Sequence, residues 1–283
     1  MFDIHTHLWD TSCLPPSIRS YFPQREGGAQ CLACSTAEDL ISEMDQSGIE
    51  KSIVLALAFQ PDLSQTAIRD INDYVIAQTS KSDRLAAFCT INPHAGRDSI
   101  PLLEEYILKE GCKGLKLHGS MQEFFACDRK LYPVYEWMQA YKKPIIFHTG
   151  GIGLKAYKDK YCALEQFDEI ACDFPSLPIV LGHAGRFHYD SLAIILRKHK
   201  NCYAEISTNF SKNEGIAARP LERLWYTVLE WAGDSQQLLF GSDFPFYSQQ
   251  KTMMHIEGLS DRESIQRQLE KNTQLFCEQY HIF

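Results

Sequence analysis

Eight times along this chain a short apolar segment gives way to a segment of helical periodicity, and few folds accommodate that rhythm. The apolar segments run around Asp3–His7, then Ser52–Leu57, Leu85–Ile91, Gly114–His118, Pro144–His148, Pro178–His183, Cys202–Ile206 and Leu238–Asp243. Between and after them, apolar residues recur at helical spacing. Examples are Leu40, Ile41 and Met44; Ile68, Ile71 and Val75; Leu221, Leu224, Trp225 and Val228; and finally Ile265, Leu269 and Phe276. The segment Ala163–Cys172 carries the weakest such pattern. Strands that are apolar throughout belong in a parallel sheet covered on both faces. An open, doubly wound sheet meets that condition, but eight repeats without a glycine-rich phosphate fingerprint favour a closed (β/α)₈ TIM barrel.

The 283 residues suit one such α/β barrel, which typically takes about 250 residues, so a single domain over 1–283 is expected. Trp9–Cys34, rich in Pro, Gly and Ser, is then an enlarged first βα loop at the barrel mouth. Pro15, Pro16 and Pro23 stiffen it, so an ordered lid with Trp9 close to the chemistry is expected. Ser35-Thr36-Ala37-Glu38 reads as a capping box that opens the next helix.

The net charge of −8 argues against nucleic acid as a partner, and no apolar run approaches the ~18 residues of a membrane span. With the first strand starting at Phe2, no secretory leader is expected. The 10 cysteines are scattered rather than framed, so reduced thiols in a cytoplasmic protein are the expectation. Cys31-Leu32-Ala33-Cys34 has the spacing of a zinc or redox pair, but no second pair accompanies it, and plain loop thiols are the expectation. A small-molecule substrate is the expected partner, and a homodimer is compatible with the chain.

Chemistry-bearing residues sit at the strand ends. His5 and His7 are two apart, so on a strand they project to one side and can reach one ion through neutral ring nitrogens. His148, His183 and Asp243 each end a later apolar strand. A barrel opens every strand's C-terminal end onto the same mouth, so five groups from four strands converge there as candidates for a divalent metal. Lys116 and His118 share one face of the fourth strand, and Arg186 follows His183 at a helix start, where a clamp for an anionic substrate and a rim salt bridge are both open readings. Trp9, Phe210, Phe244 and Phe246 are aromatic candidates for pocket walls or core.

Five segments in order resemble the amidohydrolase superfamily, in particular its metal-dependent hydrolase branch that includes aminocarboxymuconate-semialdehyde decarboxylase. They are Asp3-Ile-His-Thr-His7, Gly114-Leu-Lys-Leu-His118, Ile146-Phe-His-Thr-Gly150, Leu181-Gly-His-Ala-Gly185 and Phe240-Gly-Ser-Asp-Phe-Pro245. The resemblance implies that His5, His7, His148 and Asp243 hold one divalent metal, usually zinc. It places His183 beside the metal as a catalytic group, and leaves Trp9, Lys116, His118 and Arg186 to the substrate. Lys116 stands where some members carry a carboxylated lysine bridging two metals, but an ion pair with a substrate carboxylate or a structural role is the expectation here. Gln122 and Asp128, just after this strand, match a pattern of uncharacterised hydrolases of the branch.

The expected reaction is hydrolysis of an ester, lactone or amide by a metal-activated water, with Asp243 taking the proton and His183 stabilising the oxyanion. The alternative keeps the same site and removes a carboxyl group, without oxidation, from an aromatic or muconate-type acid.

Overall fold

In the computed structural model, which describes residues 1–21, 32, 36–211 and 213–283, the chain forms one eight-stranded sheet with the order of the strands following the sequence. The strands are β1 (Phe2–Thr6), β2 (Lys51–Leu55), β3 (Leu85–Cys89), β4 (Gly114–Leu117), β5 (Ile145–His148), β6 (Ile179–Gly182), β7 (Cys202–Glu205) and β8 (Leu238–Leu239). Every neighbouring pair is parallel. Closure uses the extended chain just beyond β8. Ile4 N donates to Phe240 O at 3.1 Å, Asp243 N to His5 O at 2.8 Å and His7 N to Phe244 O at 2.6 Å. The expected (β/α)₈ barrel is the fold, and closure fastens the ends of β1 and β8 to each other at the site.

Helices cover the outside: α1 (Pro16–Tyr21) in the first loop, α2 (Ala37–Ser47), α3 (Gln65–Thr79), α4 (Ile100–Leu103), which runs on into a π-helical stretch, and α5 (Gly119–Gln122). They continue as α6 (Tyr132–Ala140), α7 (Glu165–Asp173), α8 (Tyr189–Lys198), α9 (Arg219–Ala232), α10 (Gln249–Glu257) and α11 (Arg262–Gln279). The capping box of α2 falls one residue later than the sequence suggested. Thr36 accepts from Asp39 N, and the Asp39 carboxylate accepts from Thr36 N at 3.0 Å and Thr36 Oγ1 at 2.7 Å. Gly48 ends α2 in the left-handed conformation at φ 70°, which only glycine adopts without a Cβ penalty.

Strand alternation sorts the core into two layers. Leu115, Leu117, Ile145, Phe147, Ile179, Leu181, Cys202 and Ala204 face the helices. Ile53, Leu55, Phe88, Ile146, Val180 and Leu239 fill the barrel, and Phe276, Cys277 and Ile282 join them from the C-terminal segment. Lys116 and Glu205 share the parity of this inner set but lie nearer the mouth, where polar groups take over. β1 breaks the rule. Its register against β2 shifts between Asp3 and Thr6, and both Ile4 and His5 turn into the barrel, Ile4 among the inner apolar residues and His5 among the polar ones.

Candidate active site

The structure brings His5, His7 and Asp243 together with ligand atoms within 4.8 Å of one another, and likewise His5, His183 and Glu205. His5 and His7 approach through their Nε2 atoms, 3.2 Å apart, and Asp243 Oδ1 lies 3.7 Å from the first and 3.5 Å from the second. The outer ring nitrogens explain why this contact is not a hydrogen bond. His5 Nδ1 is 2.7 Å from the Glu205 carboxylate, and His7 Nδ1 is 2.8 Å from Leu55 O. Both partners are acceptors, so in neutral rings each Nδ1 carries the proton and each Nε2 is a lone pair. Two facing lone pairs beside a carboxylate call for a cation, and Lys116 Nζ lies 3.1 Å from His5 Nε2 as a stand-in for one. The donor set therefore fits a divalent metal.

His148 stands outside that trio. Its ring stacks on His118 with centroids 3.8 Å apart, and its Nδ1 lies 2.8 Å from His183 Nε2. Its own Nε2 is buried with no hydrogen-bond partner, which leaves a nitrogen free for a ligand to meet. The structure thus gathers three of the four expected metal ligands and leaves the fourth with an open ring nitrogen. His183 is near His5, with rings 4.7 Å apart, and its Nδ1 is 2.7 Å from Ser207 Oγ.

All of these groups are buried. Burial, reinforced by the nearby cationic groups, holds His5, His118, His148 and His183 well below the ordinary histidine range, so the four rings are neutral at pH 7. Burial likewise draws the Lys116 amine down to about 8, against the pull of Asp243 and Glu205. The backbone at the site is strained: His183, Ala184, Arg186, Thr208 and Asp243 all have positive φ, at 62°, 46°, 36°, 61° and 69°. Such conformations persist where surrounding contacts enforce them, and they concentrate at functional sites.

The remaining expected residues divide between mouth and wall. Trp9 is buried, its ring 5.1 Å from Phe246, which in turn lies 5.7 Å from His7. Its indole Nε1 is buried and has no hydrogen-bond partner among the described residues. Leu14 and Ile18 of the first loop pack with Trp9, Leu57, Phe59 and Met121 into a small apolar cluster separate from the two core layers. The described start of the loop therefore packs at the mouth, as expected. Pro23, Cys31, Cys34 and the rest of 22–31 and 33–35 lie outside the described residues. His118 accepts from Met121 N at 3.3 Å and caps α5, so its ring is already committed to the chain and to the stack with His148.

Arg186 makes no salt bridge among the described residues. Its guanidinium donates to Thr208 Oγ1 at 3.0 Å and to Gly151 O at 2.8 Å, stitching together the loops after β5, β6 and β7. Gln122 bridges strand ends, accepting from His118 N at 2.9 Å and donating to Ile91 O at 2.7 Å, while Asp128 caps a turn through Lys130 N. Phe210 stacks on His255, and Phe244 belongs to the outer core rather than a pocket wall.

Two buried carboxylates that the motif reading left without a role organise the site. Asp3 accepts from Ser242 Oγ at 2.6 Å, Gln249 Nε2 at 2.8 Å and His5 N at 3.0 Å, tying β1 to the chain that follows β8. Glu205, at the end of β7, is fully buried behind His5. Burial raises its carboxyl above the ordinary range, while the donors of His183 and Ser207 oppose that rise. Its sequence signal was a glutamate inside the apolar run Cys202–Ile206.

With this geometry in place, the family can be stated. The amidohydrolase family model matches residues 2–262, and the chain belongs to that family of enzymes, as its five motifs implied. A search of curated protein sequences returns no match. Solved structures resemble it over the whole length. One is an uncharacterised TIM-barrel protein from Bordetella bronchiseptica, 18% identical with a TM-score of 0.75, covering 99% of this chain and 100% of that one. A second is 5-carboxyvanillate decarboxylase from Sphingomonas paucimobilis, 14% identical with a TM-score of 0.73, covering 100% of this chain and 99% of that one. A third is a dihydroxybenzoic acid decarboxylase from a Polaromonas species with bound manganese and 2-nitroresorcinol, 17% identical with a TM-score of 0.75, covering 99% and 96%. At these identities the likeness establishes a shared fold.

Proposed function

We propose that the protein is a divalent-metal-dependent decarboxylase that removes carbon dioxide, without oxidation, from a small aromatic or muconate-type carboxylate. The observation that carries this reading is the burial of the whole site beside the apolar cluster that contains Trp9 and Phe59. A carboxylate brought into such surroundings loses its hydration, and loss of carbon dioxide leaves a more dispersed charge that needs hydration less. Hydrolysis, the reading first expected, needs a water at the same place, and the drier site supports it less well. The names of the full-length structural relatives point the same way.

His5, His7 and Asp243 would hold the metal, and His148 Nε2 is the open nitrogen that would complete the set. Metal analysis distinguishes zinc, the expected ion, from manganese, which the Polaromonas decarboxylase structure holds. When bound, the ion supplies a positive anchor for substrate oxygens and stabilises negative charge that develops on them. The protein's own groups do the rest. The bond between ring carbon and carboxylate breaks, its electron pair stays on the ring carbon, and a proton takes the vacated position. Asp243 holds that proton at its carboxylate and delivers it, while His183, through its bond to His148, keeps that ring's open nitrogen aimed into the site. Lys116 adds positive charge beside His5, and the Trp9 N–H offers a hydrogen bond to an acceptor on the substrate.

The test is a panel assay on metal-loaded protein in deuterated water, with 2,6-dihydroxybenzoate, 5-carboxyvanillate, simple lactones, esters and amides. Carbon dioxide release with one deuterium at the vacated carbon is the expected result. Turnover of a lactone, ester or amide without carbon dioxide release overturns the decarboxylase reading in favour of hydrolysis.

A further inference from the structure

Three of the site's histidines carry their protons in a fixed order, and a single carboxylate accounts for it. Glu205 accepts from the backbone N–H of His183, from Ser207 N at 2.7 Å, from Ser207 Oγ at 2.9 Å and from His5 Nδ1 at 2.7 Å. Because the Ser207 hydroxyl gives its proton to Glu205, its oxygen faces His183 Nδ1 at 2.7 Å as an acceptor. His183 therefore carries its proton on Nδ1 and a lone pair on Nε2. That lone pair lies 2.8 Å from His148 Nδ1, which must supply the proton between them. His148 is left with an unprotonated Nε2, the same nitrogen that is buried without a partner. His5, bonded to Glu205 directly, also presents an unprotonated Nε2 to the site.

The barrel makes room for this carboxylate on both sides. A Cβ on Gly241, after β8, would collide with Glu205 Oε2 and come within 3.0 Å of His5 Cβ. A Cβ on Gly182, at the end of β6, would meet Phe147 O at 2.7 Å and His5 Cε1 at 3.3 Å. Neither glycine has a positive φ. Both motif glycines are explained by close approach rather than by backbone freedom.

We propose that Glu205 is a positioning residue that sets the tautomers of His5, His183 and His148, the first directly and the other two through Ser207. One buried carboxylate thereby aims the free nitrogens of His5 on β1 and His148 on β5 into the site. The effect on metal affinity rests on the metal-site reading above, whereas the tautomer order does not.

The experiment uses the full-length chain labelled with ¹⁵N-histidine, metal-free and zinc-loaded, as wild type, Glu205→Gln, Ser207→Ala and Ser207→Thr. Long-range ¹H–¹⁵N spectra separate the two neutral tautomers, and competition with a chromophoric chelator gives zinc affinity. In the wild type, His5, His148 and His183 should all carry the proton on Nδ1. Ser207→Ala should mix the tautomers of His183 and His148 and spare His5, and Ser207→Thr, which keeps the hydroxyl, should restore the wild-type pattern. Glu205→Gln should disturb His5 and His183 together and weaken zinc binding by roughly 10–100-fold. Wild-type spectra with His183 protonated on Nε2 overturn the proposal, as does a Ser207→Ala spectrum identical to wild type. Should Glu205→Gln not fold, the Ser207 pair decides the relay by itself. A wild type that shows the stated tautomers but binds no zinc, manganese or other divalent ion defeats the metal reading and leaves the tautomer order standing.

Discussion

The two sides of the barrel mouth use histidine in different ways. On the β1 side, His5 and His7 are each held from behind by an acceptor, so their inner nitrogens meet 3.2 Å apart with Asp243 beside them. On the β4–β6 side, His118, His148 and His183 are held largely by one another, through a stack at 3.8 Å and a hydrogen bond at 2.8 Å. The first arrangement concentrates lone pairs and needs a cation. The second pairs His148 with His183, ties His183 to Ser207 and His118 to Met121 N, and leaves the His148 Nε2 open. Proximity alone therefore does not make a histidine a ligand; where its outer nitrogen is spent decides that.

Substitutions can break this contrast, and the largest effect belongs to the β1 side. Replacing His5 and His7 together by alanine should reduce metal content to background and activity to that of the metal-free protein, while circular dichroism stays that of a folded barrel. Retention of stoichiometric metal in this variant, by elemental analysis, would place the ion elsewhere. On the other side, His183→Ala should keep the metal yet lower turnover by about 10²–10⁴-fold, the usual weight of a positioned acid–base group. Loss of the metal with it would instead mean a second ion or a different ligand set.

The glycine after β8 tests how tightly the β1 side is packed. Gly241→Ala would drive a methyl group into Glu205 and His5, and should cost about 1–3 kcal/mol in a denaturant titration and weaken metal binding as well. An unchanged midpoint would mean that the carboxylate is free to move. Lys116→Met removes the cation that lies against His5 Nε2, so divalent-metal affinity should rise by up to roughly tenfold, about 1 kcal/mol of relieved repulsion. A fall in affinity would instead show Lys116 helping to hold the metal, as a carboxylated lysine does.

The smallest expected effect lies at the mouth. Trp9→Phe keeps an aromatic ring but loses an indole N–H that is buried without a hydrogen-bond partner among the described residues. It should weaken substrates bearing a suitably placed acceptor by up to about tenfold and leave metal content unchanged, since one hydrogen bond is worth about 0.5–1.5 kcal/mol. Comparison of KM for aromatic acids with and without a ring hydroxyl group measures it.

Much of this architecture was legible in the chain because it depends on local pattern. Each of the eight strands lies within the segment that its apolar run marked, give or take a residue or two, since a parallel strand covered on both faces has to be apolar throughout. Strand-end placement brought His5, His7, His183 and Asp243 into one neighbourhood for the same reason: every strand of such a barrel delivers its end to one mouth. The capping of α2 was legible to within one residue, the choice between Ser35 and Thr36 turning on which carboxylate reaches back.

What the chain by itself did not reveal is set by contacts between distant strands. Simple alternation opposes Ile4 to His5, yet a register shift against β2 turns both inward. Glu205 read as one residue of an apolar run, and its importance comes from partners 22 and 200 positions away. Arg186 read equally as a substrate clamp or a rim salt bridge, and only the fold shows Thr208 and Gly151 accepting from its guanidinium. Sequence determined the repeating strands, the barrel they close into and the residue types gathered at its mouth, because those follow from hydrophobic period and chain direction. Only tertiary structure decided which ring nitrogen stays free, because a histidine's proton goes to whichever acceptor the neighbouring strands bring within reach.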